Sequence, residues 1–474
     1  MRDKRLGNEQ VQGIPSAPPL DAVPPRKLGA FRALSIRNFR LFWIGQLISL
    51  IGTWAQSLAQ GWLIVLLVDP VASQLLRHGS AVGSSPGSHS PDVEAAANFY
   101  SGWVNFAGGL PIFLFTLFAG VVADRVDKRK LLLVTQSGLI LSALGLGTLA
   151  AAGTVKIWHV LFFAAVSGLF AAFDMPTRQS FVAEMVGKED LPSAVALNSS
   201  IFNAARALGP AVAGLLLAAR VSIGAAFLGN AFLSLAVIAG LLMIRVPPRV
   251  ADRKVTKADN TLRGVWASTR EGFEYVRNTP TVQNLVILVG SFGVFAFSFN
   301  VLIPVFVRYT LLPDASDALQ VKSFGFMETV RGVGALGGAL TVAVLGNAHR
   351  QRNMLITGSL LATLLLIVFG LSRTLWLAYA TMAIVSYGFV LCFATSNTLM
   401  QIHVPDHLRG RVMSIYTLMF IGTIPFGSLF AGWLAKYIGA PPTIVIFAVI
   451  SLLTTLIVAF RPGGLRDMEM TVKR

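Results

Sequence analysis

The sequence predicts an all-α integral membrane protein: twelve transmembrane helices in two pseudo-symmetric six-helix halves. Three observations predict it. Of 474 residues, 54% are hydrophobic and 13% are charged, whereas a soluble domain carries about a quarter charged residues. Apolar windows long enough to cross a bilayer recur twelve times along the chain. The lysines and arginines gather on one side of that pattern.

Residues 1–40 are rich in Pro and Arg and lack the apolar core of a cleavable signal, so they read as a disordered, basic cytoplasmic lead-in. The N-terminal half, 41–244, holds spans at 41–68, 99–122, 131–152, 157–173, 194–219 and 223–244. Its first loop, 69–98, contains a Ser/Gly/Pro tract from Ser80 to Pro91 that cannot bury a core and reads as a flexible, dispensable insertion. A basic cytoplasmic linker follows at 245–281, where Trp266, Phe273 and Tyr275 suggest an amphipathic helix on the membrane surface. The C-terminal half, 282–460, holds spans at 282–307, 324–345, 354–371, 375–395, 412–435 and 443–460, and 461–474 is a cytoplasmic tail. Arg37-Asn38 and Arg277-Asn278, Thr135 and Thr357, and Ala213-Gly214 and Ala431-Gly432 fall in the same order in the two halves, as a parallel duplication requires.

The formal net charge of +17 could point to a nucleic acid, but the placement of the charges excludes that reading. Of 39 Lys and Arg, 30 fall in the segments on the side of the termini, seven on the other side, and Arg206 and Arg331 inside spans. The positive-inside rule therefore places both termini in the cytoplasm, with anionic lipid headgroups as the partner of the basic surface. Cys392 is the only cysteine, so an internal disulfide and a cysteine metal cluster are excluded. His159, His349, His403 and His407 lack metal-ligand spacing, and no Gly-rich loop ends in Lys-Ser/Thr. The chain is thus expected to be no enzyme, to need no cofactor or metal, and to draw no energy from ATP.

Between the second and third spans runs Gly120-x-x-x-Asp124-Arg125-x-x-Lys128-Arg129. Any cytoplasmic hairpin of a membrane protein is basic, but this spacing in this hairpin resembles the signature of the major facilitator superfamily of transporters. The resemblance implies that the glycine lets two helices approach, that the acidic residue caps a neighbouring helix, and that the basic ones pair with the end of the fourth helix. Asp127 stands where the family usually has a second glycine. Asp174-Met-Pro-Thr-Arg178, at the inner end of the fourth span, looks like a gate. By resemblance, Asp174 pairs with Lys128 or Arg129 when the transporter opens outward.

Arg206 lies near the middle of the fifth span, where a guanidinium needs a partner, a cavity or a substrate. It could equally be satisfied by helix-end carbonyls and Asn203. It opens Arg206-Ala-Leu-Gly209-Pro210-Ala-Val-Ala213-Gly214, which is similar to a fifth-helix motif of proton-coupled exporters in the same superfamily, with Ala205 and Ala213 replacing two glycines. Pro210 removes a helix hydrogen bond and the small residues permit close packing, so a kinked helix able to seal one side is expected. In the first span Gln46, Ser49, Thr53, Gln56, Ser57 and Gln60 share one helical face. That stripe is either the wall of a substrate cavity or polar glue to a neighbouring helix. Trp54, Phe295, Tyr387 and Phe393 are candidate aromatic surface for the cavity, or packing. Glu328 and Arg331, three apart near the outer end of the eighth span, read as an interfacial ion pair or as a protonation switch that releases Arg331.

Ser35 to Gln46, together with the Asp174 to Arg178 motif, resembles the bacterial branch of the superfamily that contains enterobactin exporters and macrolide efflux pumps, and also a lysophospholipid transporter. The resemblance implies a proton-coupled antiporter, a monomer in the bacterial inner membrane, that exports an amphipathic organic molecule of siderophore or drug type. A lysophospholipid flippase or nutrient importer is the alternative within transport. A non-transporting receptor or a membrane-embedded enzyme is the alternative outside it.

Overall fold

In lipid, backbone N–H and C=O groups must be satisfied within the chain, so apolar spans form helices. The structure, a computed structural model, describes residues 31–69, 90–244, 262–346 and 348–461. The expected lead-in up to residue 30, most of the first loop, the linker at 245–261 and the tail from 462 lie outside the described residues.

The helices are α1 (Arg37–Val68), α2 (Pro91–Arg125) and α3 (Lys128–Ala151), then α4 (Ile157–Gly187), α5 (Glu189–Ala218) and α6 (Ile223–Met243). After α7 (Leu262–Asn278) come α8 (Pro280–Leu311), α9 (Asp317–Leu345) and α10 (Ala348–Leu371). The chain ends with α11 (Leu375–His403), α12 (His407–Ile438) and α13 (Ala440–Phe460). Among the described residues eleven helices are long and apolar enough to cross a membrane. The twelfth span expected from the sequence corresponds to α2, 35 residues long, which is not among those eleven; four of its side chains, at 117, 121, 124 and 125, lie outside the described residues.

Local chemistry sets the ends. Ser90 accepts from Val93 N at 3.3 Å with Pro91 at the first helical position, so α2 starts eight residues before its apolar window. Residues 91–98, expected in the flexible loop, are therefore helix. Ser316 caps α9 through Leu319 N at 3.4 Å, moving its start from 324 to 317. Gly187 (φ 73°) and Gly439 (φ 83°) take the left-handed conformation that separates α4 from α5 and α12 from α13. Inside α8 the helix loosens into π turns at Phe292–Ala296 and Phe306–Leu311 around a 3-10 turn at Ser298–Leu302. Ser298 Oγ donates to the Gly293 carbonyl at 2.8 Å, re-satisfying a group freed by the irregularity.

The helices α1 to α6 pack on one another, as do α8 to α13. Chain reversals leave Val68, Pro91, Ala218, Asp317 and Ile438 at one end of the bundle, called the Asp69 end, with Asp127 at the other. The two groups meet along α5–α9 and α2–α12, and small residues make the contact. A β-carbon on Gly214 would sit 2.8 Å from Gly325 Cα, and one on Gly332 2.6 Å from Ala207 Cα. On the second seam a β-carbon on Gly102 would sit 2.7 Å from the Ser428 carbonyl, and Asn98 donates to the Ala435 carbonyl at 3.3 Å. Backbone meets backbone at these positions, so the two groups are in close contact along both seams toward the Asp69 end.

Candidate substrate and gate sites

At the Asp127 end, the turn between α2 and α3 needs a stop for one helix and a start for the next. Asp127 supplies the start, accepting from Lys130 N at 3.0 Å. An N-cap carboxylate thus takes the place where the resemblance expects a glycine. Lys128, buried, reaches Glu184 on α4 at 2.5 Å. Arg129 instead donates to the Leu241 and Leu242 carbonyls at 2.6 and 2.8 Å, at the C-terminus of α6 where a cation is favoured. The side chains of Asp124 and Arg125 lie outside the described residues. Among the described residues a β-carbon on Gly120 would meet nothing within 4 Å, so the close approach expected there is not made among them.

Asp174 is buried on α4. Its Oδ1 accepts from Thr135 Oγ1 at 2.9 Å and Gln136 Nε2 at 2.7 Å, both on α3, and Oδ2 pairs with Arg178. The carboxylate is therefore held by α3 polar groups and its own helix, not by Lys128 or Arg129. In the sequence Thr135 stood out only as a mark of the duplication, and Gln136 and Glu184 carried no signal of their own.

Arg206 sits on α5 about 18 Å from the Ala218 end at 1.5 Å per residue, and Glu328 on α9 about 16 Å from Asp317. Since α5 ends and α9 begins at the Asp69 end, the two lie at one level. Glu328 is thus near mid-span and not near an outer end as expected, because the Ser316 cap starts α9 two turns earlier. Arg331 Nη1 donates to both Glu328 oxygens at 2.6 and 2.7 Å. Asn203 Nδ2 turns away to the Ser199 carbonyl at 2.9 Å. Arg206 on α5 and the Glu328–Arg331 pair on α9 thus stand at one level on the two sides of the α5–α9 seam, two guanidiniums and one carboxylate that together carry a net positive charge.

The motif after Arg206 packs as its small residues permit. Gly209 faces α1, where a β-carbon would lie 2.6 Å from Trp54 Cβ and 2.7 Å from the Ile51 carbonyl. Gly214 and the Pro210 carbonyl face Gly325 on α9.

The polar stripe of α1 divides between its two readings. Ser49 bonds Ser234 at 3.0 Å and Gln56 accepts from Asn230 Nδ2 at 2.6 Å, both on α6. Gln46 is buried, Gln60 half-buried, and Thr53 and Ser57 are exposed at mid-span. Trp54 packs on Phe202 at 5.6 Å, Phe295 on Phe447 at 5.3 Å, and Phe393 on Phe420 at 4.0 Å. Tyr387 donates to Thr341 Oγ1 at 3.1 Å within the second helix group.

Residues 91–471 match the family model described as transmembrane secretion effector. The chain belongs to this family of major facilitator transporters. Among relatives of this transporter are the multidrug efflux pump Tap of Mycolicibacterium fortuitum, 25% identical over 78% of this chain and 88% of the relative, and the staphyloferrin A transporter of Staphylococcus aureus, 26% identical over 76% and 87%. The enterobactin exporter EntS of Escherichia coli is 24% identical over 70% of this chain and 75% of its own. Of solved structures, the nucleoside transporter NupG superposes with a TM-score of 0.61 at 13% identity over 87% of this chain and 98% of that one. A D-xylose–proton symporter also gives 0.61, at 15% identity over 88% and 96%. The major facilitator fold and multi-pass membrane character expected from the sequence follow, and the family is one of transporters, not enzymes.

Proposed function

We propose that the chain is a proton-coupled exporter of an amphipathic organic molecule of siderophore or drug type. It works by alternating access between two six-helix halves, 41–244 and 282–460. The observation that carries the reading is that Arg206 and the Glu328–Arg331 pair, net positive together, stand at one mid-depth level on the two helix groups, which are in close backbone contact toward the Asp69 end. Relatives named for multidrug efflux and for siderophore transport support the direction and the class of cargo.

Arg206 takes an anionic part of the cargo through its forked donor, with Thr53, Ser57 and Gln60 of α1 as further hydrogen-bonding groups on the cavity side. Glu328 alternates between holding Arg331 and holding a proton, so a proton entering at Glu328 frees a guanidinium and changes the charge that the cargo meets. With both termini cytoplasmic in the bacterial inner membrane, the basic Asp127 end faces the cytoplasm and its anionic lipid headgroups. This arrangement is then the inward-accessible state of a monomer. Asp124, Arg125, Lys128, Arg129, Asp174 and Arg178 re-pair when that end closes.

The test is flux in liposomes reconstituted with purified protein and an imposed pH gradient, using a radiolabelled carboxylate siderophore and a lipophilic fluorescent dye as probes. Gradient-driven accumulation is expected, and Glu328→Gln should lose the gradient dependence while keeping substrate counterflow. Flux indifferent to the gradient overturns proton coupling; a folded protein that moves neither probe overturns the exporter reading.

A further inference from the structure

A second charge cluster lies away from the central one. Arg308, in the last turn of α8, is fully buried. Its Nη1 reaches Asp317 Oδ1 at 2.5 Å and Gln320 Oε1 at 3.0 Å, and its Nη2 reaches Asp69 Oδ2 at 3.0 Å. The guanidinium lies 5.7 Å from the Trp62 ring and 5.8 Å from that of Tyr309. Asp69 and Asp317 are buried with it. Trp62 stacks on Phe324 at 6.2 Å, closing the same spot.

The membership of this cluster is unequal. Arg308, Asp317 and Gln320 all belong to the second helix group, and Gln320 is itself fixed by donating to the Leu312 carbonyl at 2.8 Å. The Arg308–Asp317 pair is thus charge-balanced within one group, and folding of that group already has its counter-ion. Asp69, which ends α1, comes from the other group. It adds a surplus carboxylate to a dry site where unbalanced charge is costly, and it adds a charge-assisted bond that exists only while the groups touch at this end.

We infer that Asp69 is a positioning residue for transport: with Arg308 it forms a latch that holds the Asp69 end closed, and Asp317 weakens that latch by competing for the same guanidinium. The inference rests on the proposal that the two helix groups move. It assigns opposite roles to two buried aspartates on one arginine. Removing the charge of Asp69 deletes the bond between the groups and leaves Arg308 paired. Removing the charge of Asp317 leaves Arg308 with Asp69 as its carboxylate, so the latch tightens.

The test places a cysteine at Ser101, a buried α2 residue beside Gly102 on the α2–α12 seam, in full-length protein carrying Cys392→Ala. Maleimide labelling is then timed in detergent without substrate, so the result stands apart from whether the chain exports. Asp69→Asn is expected to label at least about tenfold faster than the parent, since a charged hydrogen bond is worth about that factor. Asp317→Asn should label about tenfold slower. Asp69→Glu, which keeps the charge, stays nearer to the parent than Asp69→Asn. Both asparagine variants shifting the same way, or neither shifting, overturns the latch. Should Asp317→Asn fail to insert, Asp69→Asn against Asp69→Glu decides: equal labelling of these two overturns it.

Discussion

Replacing Gly325 by alanine tests whether the α5–α9 seam is a contact that must break during transport. A β-carbon there would lie 2.7 Å from Gly214 Cα, 2.9 Å from the Pro210 carbonyl oxygen and 3.3 Å from Gly214 N, all main-chain atoms of α5. Carbon atoms rest at about 3.5–4.0 Å, so α9 must retreat by about 1 Å. Overpacking of this kind costs about 1–3 kcal/mol. Because the clash lies between the helix groups, the closed arrangement bears it and one with the groups apart does not. The population should therefore shift roughly 5- to 150-fold toward opening at the Asp69 end. Spin labels at Val221 and Trp376, exposed residues of the two groups at that end, read the change by pulsed electron resonance as a longer distance. Gly337→Ala is the control: its nearest neighbour, Tyr387 Cδ2, lies 3.5 Å away within the same group, so the distance should not move. A Gly325→Ala distribution that matches the parent, or a loss of thermal stability with no change in distance, would refute the reasoning.

Two further predictions address the candidate sites. Arg206→Lys keeps the charge but loses the fork, so it should retain part of the transport of an anionic probe while Arg206→Ala retains almost none, with equal insertion of both; normal flux through the alanine variant removes Arg206 from the substrate site. Asp124→Asn and Arg125→Ala should each abolish most transport without loss of membrane insertion, because in the proposed cycle the motif re-pairs when the Asp127 end closes; uptake assays on correctly folded variants that equal the parent would count against the gate.

The fold was legible because lipid leaves the backbone few choices. Even α8, interrupted by π and 3-10 turns, runs over 280–311 where its apolar window ran over 282–307. Helix starts were less legible, because polar caps at Ser90 and Ser316 extend α2 and α9 beyond the hydrophobic windows. That error carried into the site and put Glu328 too near the surface. Charges inside spans are rare enough to stand out singly, so Arg206, Glu328 and Arg331 could each be chosen from the sequence. That they share one level could not, since it depends on the register set by Gly214 against Gly325 and Ala207 against Gly332 across the seam. The α1 stripe shows the same boundary: periodicity put Ser49, Thr53 and Gln56 on one face, but only Ser234 and Asn230, far along the chain, decide which of them become interhelical bonds.

The depths of the two charge clusters bear on how the proposed cycle would stay coupled. Arg206, Glu328 and Arg331 lie deeper than the contacts where glycine and alanine bring the backbones of the two groups together, so in the proposed cycle this arrangement is the one closed to cargo at the Asp69 end. A cargo that enters from the Asp127 end meets a net positive site, and binding an anionic group there removes the excess charge that would otherwise have to be carried through a dry intermediate. Opening the Asp69 end with the site empty would require the same excess charge to pass unpartnered. Neutralisation by cargo in one direction and by a change in the protonation of Glu328 in the other would therefore make the empty transition the slow one. A small-residue seam would make that bias effective, since close backbone contact leaves little room for water that could screen the charges and let the groups separate without cargo.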